Sequence, residues 1–148
     1  MRNLLLLLYA ILMGFHPIQC GRAKVQPARV VNATADQQAE VERVIGIYDR
    51  LGYTELRDAA RERMKAGKIR IEHIRRPYRT PGLDAGYVPE TDEILLDPEA
   101  MAQYSDEEMG EVLADELYHH LIPGDDTEAE HVRFRVWRTE YYAKLGAR

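Results

Sequence analysis

The sequence predicts a single α+β domain with a small antiparallel sheet, a functional helix in its second half and a C-terminal helix. Three observations carry that prediction. Apolar residues recur at helical spacing early and late in the chain. A short alternating stretch and a turn-bearing pair of strands lie between them. No internal repeat, low-complexity run or linker interrupts the order helix, helix, strand, hairpin, helix, helix.

Each element has its own signal. Residues 24–31 show no period, contain Pro27 and read as an extended lead-in. Thr34 with Gln37 three residues later forms a capping box for a helix carrying Val41, Val44, Ile45 and Tyr48, which Gly52 ends near residue 51. Thr54 is placed to cap a second helix containing Leu56, Ala59, Ala60 and Met64, which Gly67 stops. Residues 68–74 alternate, with Ile69, Ile71 and His73 on one face and Arg70, Glu72 and Ile74 on the other, as a strand requires. Residues 75–86 hold Pro77, Pro81, Gly82 and Gly86 and read as a loop. Residues 87–98 read as two short strands around a turn. Pro89 lacks a backbone donor, so this hairpin suits a sheet edge. Ser105 with Glu108 is a second capping box, opening a helix that runs to about Ile122. The sequence Pro123-Gly124-Asp125-Asp126 breaks it, and Thr127 opens a last helix ending near Gly146.

Composition bounds the function. The chain has 148 residues, 45% hydrophobic, 30% charged and 8% aromatic, which excludes a disordered tail, a collagen-like repeat and a disulfide scaffold. Its formal charge of −5 argues against nucleic acid as a partner. Residues 4–15 are apolar, follow Arg2 and end at His16 and Pro17, too short a run to span a bilayer as a mature helix. Gly21 and Ala23 supply the small residues of a cleavage site, so residues 1–23 read as a signal peptide. Residues 24–148 are then the domain, secreted or periplasmic, with no membrane span. Cys20 offers a rival reading as a lipid-anchored residue, although Gln19 before it fits poorly. Cleavage after Ala23 removes Arg2, Arg22 and Cys20, leaving a more acidic chain with neither thiol nor disulfide. The tripeptide Asn32-Ala33-Thr34 is a glycosylation sequon, meaningful only in a eukaryotic secretory path.

Of the five histidines, His119, His120 and His131 fall close together in an acid-rich window with Asp115, Glu116, Asp125, Asp126, Glu128 and Glu130. Imidazoles and carboxylates gathered across a helix–turn–helix are what a divalent metal requires, whereas the bland meaning of such a run is a solvated surface. Helical geometry helps decide between them. At about 100° per residue, Met109, Val112, Leu113, Leu117 and Leu121 form one apolar arc. Asp115 and His119 stack one turn apart at its edge, Glu116 lies between them and the centre, and His120 points close to the centre. On the last helix Phe134, Trp137, Tyr141 and Leu145 form an inward stripe headed by Glu130, while Glu128 and His131 point away from it. The intervening turn brings Glu130 toward Asp115 and His119.

Asp115-Glu116-Leu117-Tyr118-His119 resembles the His-Glu-x-x-His motif of zincin metallopeptidases, with Asp in place of the first His. Glu130 at the head of the next helix resembles the third ligand of the gluzincin branch, and residues 93–97 are similar to the edge strand that precedes the motif helix in that family. The resemblance covers roughly residues 68–145. It implies a peptidase acting on a peptide or protein. Asp115, His119 and Glu130 would hold the metal, and Glu116 would be the general base that activates water. Asp ligates zinc through oxygen at about 2.0–2.2 Å. Two carboxylates in the set leave Zn²⁺ less electron-poor and tilt preference toward harder ions such as Mn²⁺. His120, four residues from Glu116, permits a shifted ligand register or is a hydrogen-bonded core residue. His131 and Glu128 read as solvent-facing or as supports for the ligands. The alternative implied by the substituted motif is a pseudoenzyme of the same fold that binds a partner.

Other chemistry finds little footing. There is no Gly-x-Ser-x-Gly and no phosphate loop. Arg133, Arg135 and Arg138 read as a solvated face balancing acids, as do Arg75, Arg76 and Arg79. Tyr118, Tyr141 and Tyr142 are candidates for oxyanion stabilisation by analogy with zincins, but packing is the simpler role, as it is for Trp137.

Overall fold

The computed structural model describes residues 28–74, 84–122 and 128–147, without the side chains of Ala129 and Glu130. The segment read as a signal, Cys20, the loop arginines Arg75, Arg76 and Arg79, and the break at 123–127 lie outside the described residues.

The fold is α+β, as expected. Helix α1 (Ala35–Leu51) starts at the capping box: Gln37 N donates to Thr34 Oγ1 at 3.2 Å and Thr34 N donates to Gln37 Oε1 at 2.9 Å. It ends at Gly52, whose φ of 80° lies in the left-handed region that glycine enters without penalty. Helix α2 (Thr54–Lys65) follows at once. Thr54 is its first residue rather than its cap; Tyr53 takes the cap position without a side-chain bond. Tyr53 N donates to Tyr48 O at 2.8 Å, which ties the short linker to the end of α1.

Strands β1 (Ile69–Ile71), β2 (Ala85–Val88) and β3 (Glu93–Leu96) form a sheet in the order β1-β3-β2. The sheet is mixed, not antiparallel. β3 pairs antiparallel with β2 across the predicted hairpin and parallel with β1. The strand at 93–96 is therefore central, and the edge belongs to β2, which carries Gly86 and leads into Pro89. The reason is hydrophobic: Ile94 and Leu96 are fully buried, so the more apolar strand of the hairpin takes the interior position. One sheet face aligns Ile69, Ile94 and Tyr87 in one row and Ile71, Leu96 and Ala85 in the next. Val31 bridges Arg70 along the outer edge of β1, so the lead-in ends extended, as predicted; residues 24–27 of it lie outside the described residues.

After β3, Asp97 caps a short helix that the sequence did not disclose, α3 (Pro98–Met101), by accepting from Glu99 N at 2.8 Å. Helix α4 (Asp106–Leu121) opens with the second capping box, and α5 (Glu128–Gly146) closes the chain. α4 is the hub, packing on α1, α2, α5, β2 and β3. Met109, Leu113 and Leu117 on α4 are buried against a core that includes Ile45, Tyr48 and Met64. α5 docks through an aromatic stack in which Trp137 lies 4.7 Å from Tyr141 and 5.7 Å from Phe134, ring centre to ring centre. No helix among the described residues is long and apolar enough to cross a membrane.

Candidate functional site

Three elements build the candidate site: the start of β2, the middle of α4 and the first turns of α5. Asp84, Ala85, Glu111, Val112, Asp115, Glu116 and Phe134 line a cavity of about 250 Å³ between them. The two motif carboxylates, Asp115 and Glu116, thus open into one space. Glu116 is 8% exposed and Asp115 half-buried, the order that their angular positions on the helix predict. Glu130 sits one turn before Phe134, a wall of the cavity, but its side chain lies outside the described residues.

Two further wall residues, Asp84 and Glu111, are charged for reasons absent from the motif. Glu111 binds Arg138 Nε at 2.5 Å and accepts from Tyr142 Oη at 2.5 Å. Asp84 accepts from Tyr104 Oη, and that bond raises the phenol pKa. Burial, together with the bond to Glu111, pushes the Tyr142 hydroxyl up to about 12. Asp84 and Glu111 were not predicted for the site. Asp84 borders an irregular loop, where periodicity says nothing; Glu111 lies one helical turn before Asp115, a spacing that could have found it.

β2 and α4 run side by side in matched steps. Two residues of a strand advance about 6.6 Å and one helical turn advances about 5.4 Å, so Ala85 meets Asp115 and Glu116 while Tyr87 meets His119. The rings of Tyr87 and His119 are parallel, 3° apart in plane with centres at 6.3 Å. His119 is half-buried, at the edge of the apolar arc where the sequence put it.

His120 goes elsewhere. It is half-buried beneath the β2–β3 turn, where Arg63 Nη2 lies 2.8 Å from both imidazole nitrogens and Nδ1 lies 3.2 Å from Asp92 Oδ1. This is the hydrogen-bonded alternative considered for His120; the shifted register pairing it with Glu116 gains no support from this placement. Glu128 and His131 are exposed, as expected. Tyr118 and Tyr141 are buried in the aromatic stack, the packing role preferred for them. Burial pushes the Tyr118 hydroxyl up to about 12 and that of Tyr141 higher still. Tyr142 is the exception, 41% exposed and turned to Glu111. Arg133 and Arg138 are exposed and pair with Glu55 and Glu111, as a charge-balancing face should.

Among the described residues, no three His, Cys, Asp or Glu side chains converge as a metal-binding group. Compared with known protein families, curated proteins and solved structures, the chain matches none.

Proposed function

We propose that this chain is a secreted or periplasmic metal-dependent hydrolase of the peptidase type, exported by a signal cleaved after Ala23. Asp115, His119 and Glu130 hold the ion, Zn²⁺ or Mn²⁺, and Glu116 is the base. The observation that carries the reading is the placement of Glu116: a carboxylate more than nine-tenths buried yet lining the same cavity as Asp115, one turn from His119. A buried carboxylate facing a cavity is costly to fold around and is expected where chemistry uses it.

The donor set fits a borderline-to-hard divalent ion, with oxygen from Asp115 and Glu130 and nitrogen from His119. A bound ion would supply Lewis acidity toward a carbonyl oxygen and a water. The chain supplies the rest. Glu116 accepts the proton of the attacking water and returns it to the leaving amine. Ala85, Val112 and Phe134 give the cavity apolar walls beside the carboxylates. Glu116→Gln keeps the shape and removes the base, so it is expected to abolish peptide hydrolysis while leaving metal content unchanged. Full activity in that variant would overturn the role of Glu116.

A second reading is a pseudoenzyme of this fold that binds a protein partner. It is favoured by Asp115 at the first-ligand position. It predicts a chain with no metal and no hydrolysis.

A further inference from the structure

The motif does not account for the polar cluster beneath the turn joining β2 to β3. Asp92 stands at its centre. Its φ of 55° puts it in the left-handed region, which Asp tolerates better than most residues, and this turns its carboxylate back under the hairpin. There Oδ2 lies 2.5 Å from Arg63 Nη1, and Oδ1 accepts from Tyr87 Oη at 2.9 Å and lies 3.2 Å from His120 Nδ1. Arg63 also donates to the backbone carbonyl of Asp92 at 2.8 Å. Arg63 is buried at 8% exposure, a placement that arginine takes when its charge is paired. With Nδ1–H of His120 donated to Asp92, Nε2 is left to accept from Arg63, so this tautomer satisfies the contact to Asp92 and one of the two to Arg63.

This cluster joins three elements: α2 through Arg63, the hairpin through Tyr87 and Asp92, and the end of α4 through His120. Tyr87 connects it to the candidate site. The Tyr87 hydroxyl is held by Asp92 and its ring lies parallel to the imidazole of His119. Offset parallel rings at this separation attract, and a flat wall on one side limits the rotation of the imidazole.

We propose that Asp92 and Tyr87 are positioning residues for His119: the Arg63–Asp92–His120 cluster fixes the phenol, and the phenol fixes the imidazole in the orientation that the site uses. The proposal rests on His119 being a ligand, as the functional reading has it, but its geometry is testable without metal. Groups that orient a ligand typically carry 10–100-fold in metal affinity.

The experiment uses the metal-free full domain, wild type beside Tyr87→Leu, Tyr87→Phe and Asp92→Asn, and follows the His119 imidazole and Trp137 indole resonances by nuclear magnetic resonance. Zn²⁺ alone is then titrated into each. One sharp set of His119 ring signals is expected in wild type. Broadened or averaged signals are expected in Tyr87→Leu and Asp92→Asn, with the remote Trp137 indole unchanged and Zn²⁺ affinity lowered 10–100-fold. Unchanged His119 signals in folded Tyr87→Leu and Asp92→Asn would overturn the proposal. Should the Trp137 signal show that Tyr87→Leu has unfolded, Tyr87→Phe decides by the same criterion, since it keeps the ring and loses only the bond to Asp92. A wild type that takes up neither Zn²⁺ nor, in a parallel titration, Mn²⁺ overturns the functional reading alone; the His119 signals still decide whether the clamp exists.

Discussion

At the scale of single residues, Gly110 shows how closely the site helix is held. Tyr48 Oη donates to the Gly110 carbonyl at 2.6 Å, and Tyr141 Oη donates to the Glu107 carbonyl at 3.0 Å. A methyl group at residue 110 would clash with the Tyr141 hydroxyl and press on its ring. Tyr141 is fully buried and stacked on Trp137, so it has little freedom to yield. Gly110→Ala is expected to destabilise the protein by about 1–3 kcal/mol despite the better helix propensity of Ala, as measured by urea unfolding. The sequence offers Gly110 only as a weak spot in a helical pattern; its packing role follows from α5, which periodicity cannot dock. Asp92 is similar. A lone aspartate in a turn is ordinary, and its role as the centre of a charged cluster depends on Arg63 arriving from a distant helix. Burial pushes the Asp92 carboxyl up, but the bonds from Arg63 and Tyr87 outweigh this and hold its pKa below the usual aspartate range.

At the scale of elements, capping was the most legible feature. Both capping boxes formed where the sequence placed them, because the signal is local and needs no tertiary partner. The second also starts the helix that carries Asp115, Glu116 and His119. Ser105 Oγ accepts from Glu108 N at 3.2 Å, and Ser105 N donates to Glu108 Oε2 at 2.8 Å. Arg43 grips Asp106 in the next position with two bonds, at 2.7 and 3.0 Å. Ser105→Ala is expected to cost about 1 kcal/mol in thermal or denaturant unfolding. That loss should leave the site chemistry intact, because the cap lies more than two turns from Asp115. Strand order was less legible than strand existence. The hairpin was readable from its turn residues, but which of its strands would pair with β1 depended on burial of Ile94 and Leu96, a long-range outcome. The same holds for α3, which Asp97 caps in a stretch too short for periodicity to reveal.

At the scale of the whole molecule, the last helix is held largely by aromatic burial. Trp137 meets Tyr53 at 5.6 Å and Tyr118 at 6.1 Å edge-on, besides its two stacked neighbours. Tyr48, Tyr118 and Tyr141 have hydroxyl pKa values raised mainly by burial, that of Tyr118 to about 12. A group whose folded pKa is raised contributes stability that is full below its unfolded value, near 10 for tyrosine. That contribution is lost as pH rises through the folded value. The protein is therefore expected to lose stability between about pH 10 and 12, with the phenols of Tyr48, Tyr118 and Tyr141 ionising together with unfolding rather than before it. Ionisation of these three phenols well ahead of unfolding would contradict the burial assigned to them. The burial order of the motif was legible because one helix face suffices to set it: Glu116 innermost, Asp115 and His119 at the margin. The cavity was not, since Asp84 and Phe134 reach it from a strand border and a second helix.

Whether these carboxylates and His119 hold a metal decides what the protein does. The most direct measurement is the metal content of the purified wild-type domain by elemental analysis, beside His119→Ala prepared identically. The account predicts about one Zn²⁺ or Mn²⁺ per wild-type chain and little in the variant, with the wild type gaining thermal stability when the ion is added. A wild type that is metal-free, and that neither binds nor is stabilised by either ion, would contradict it.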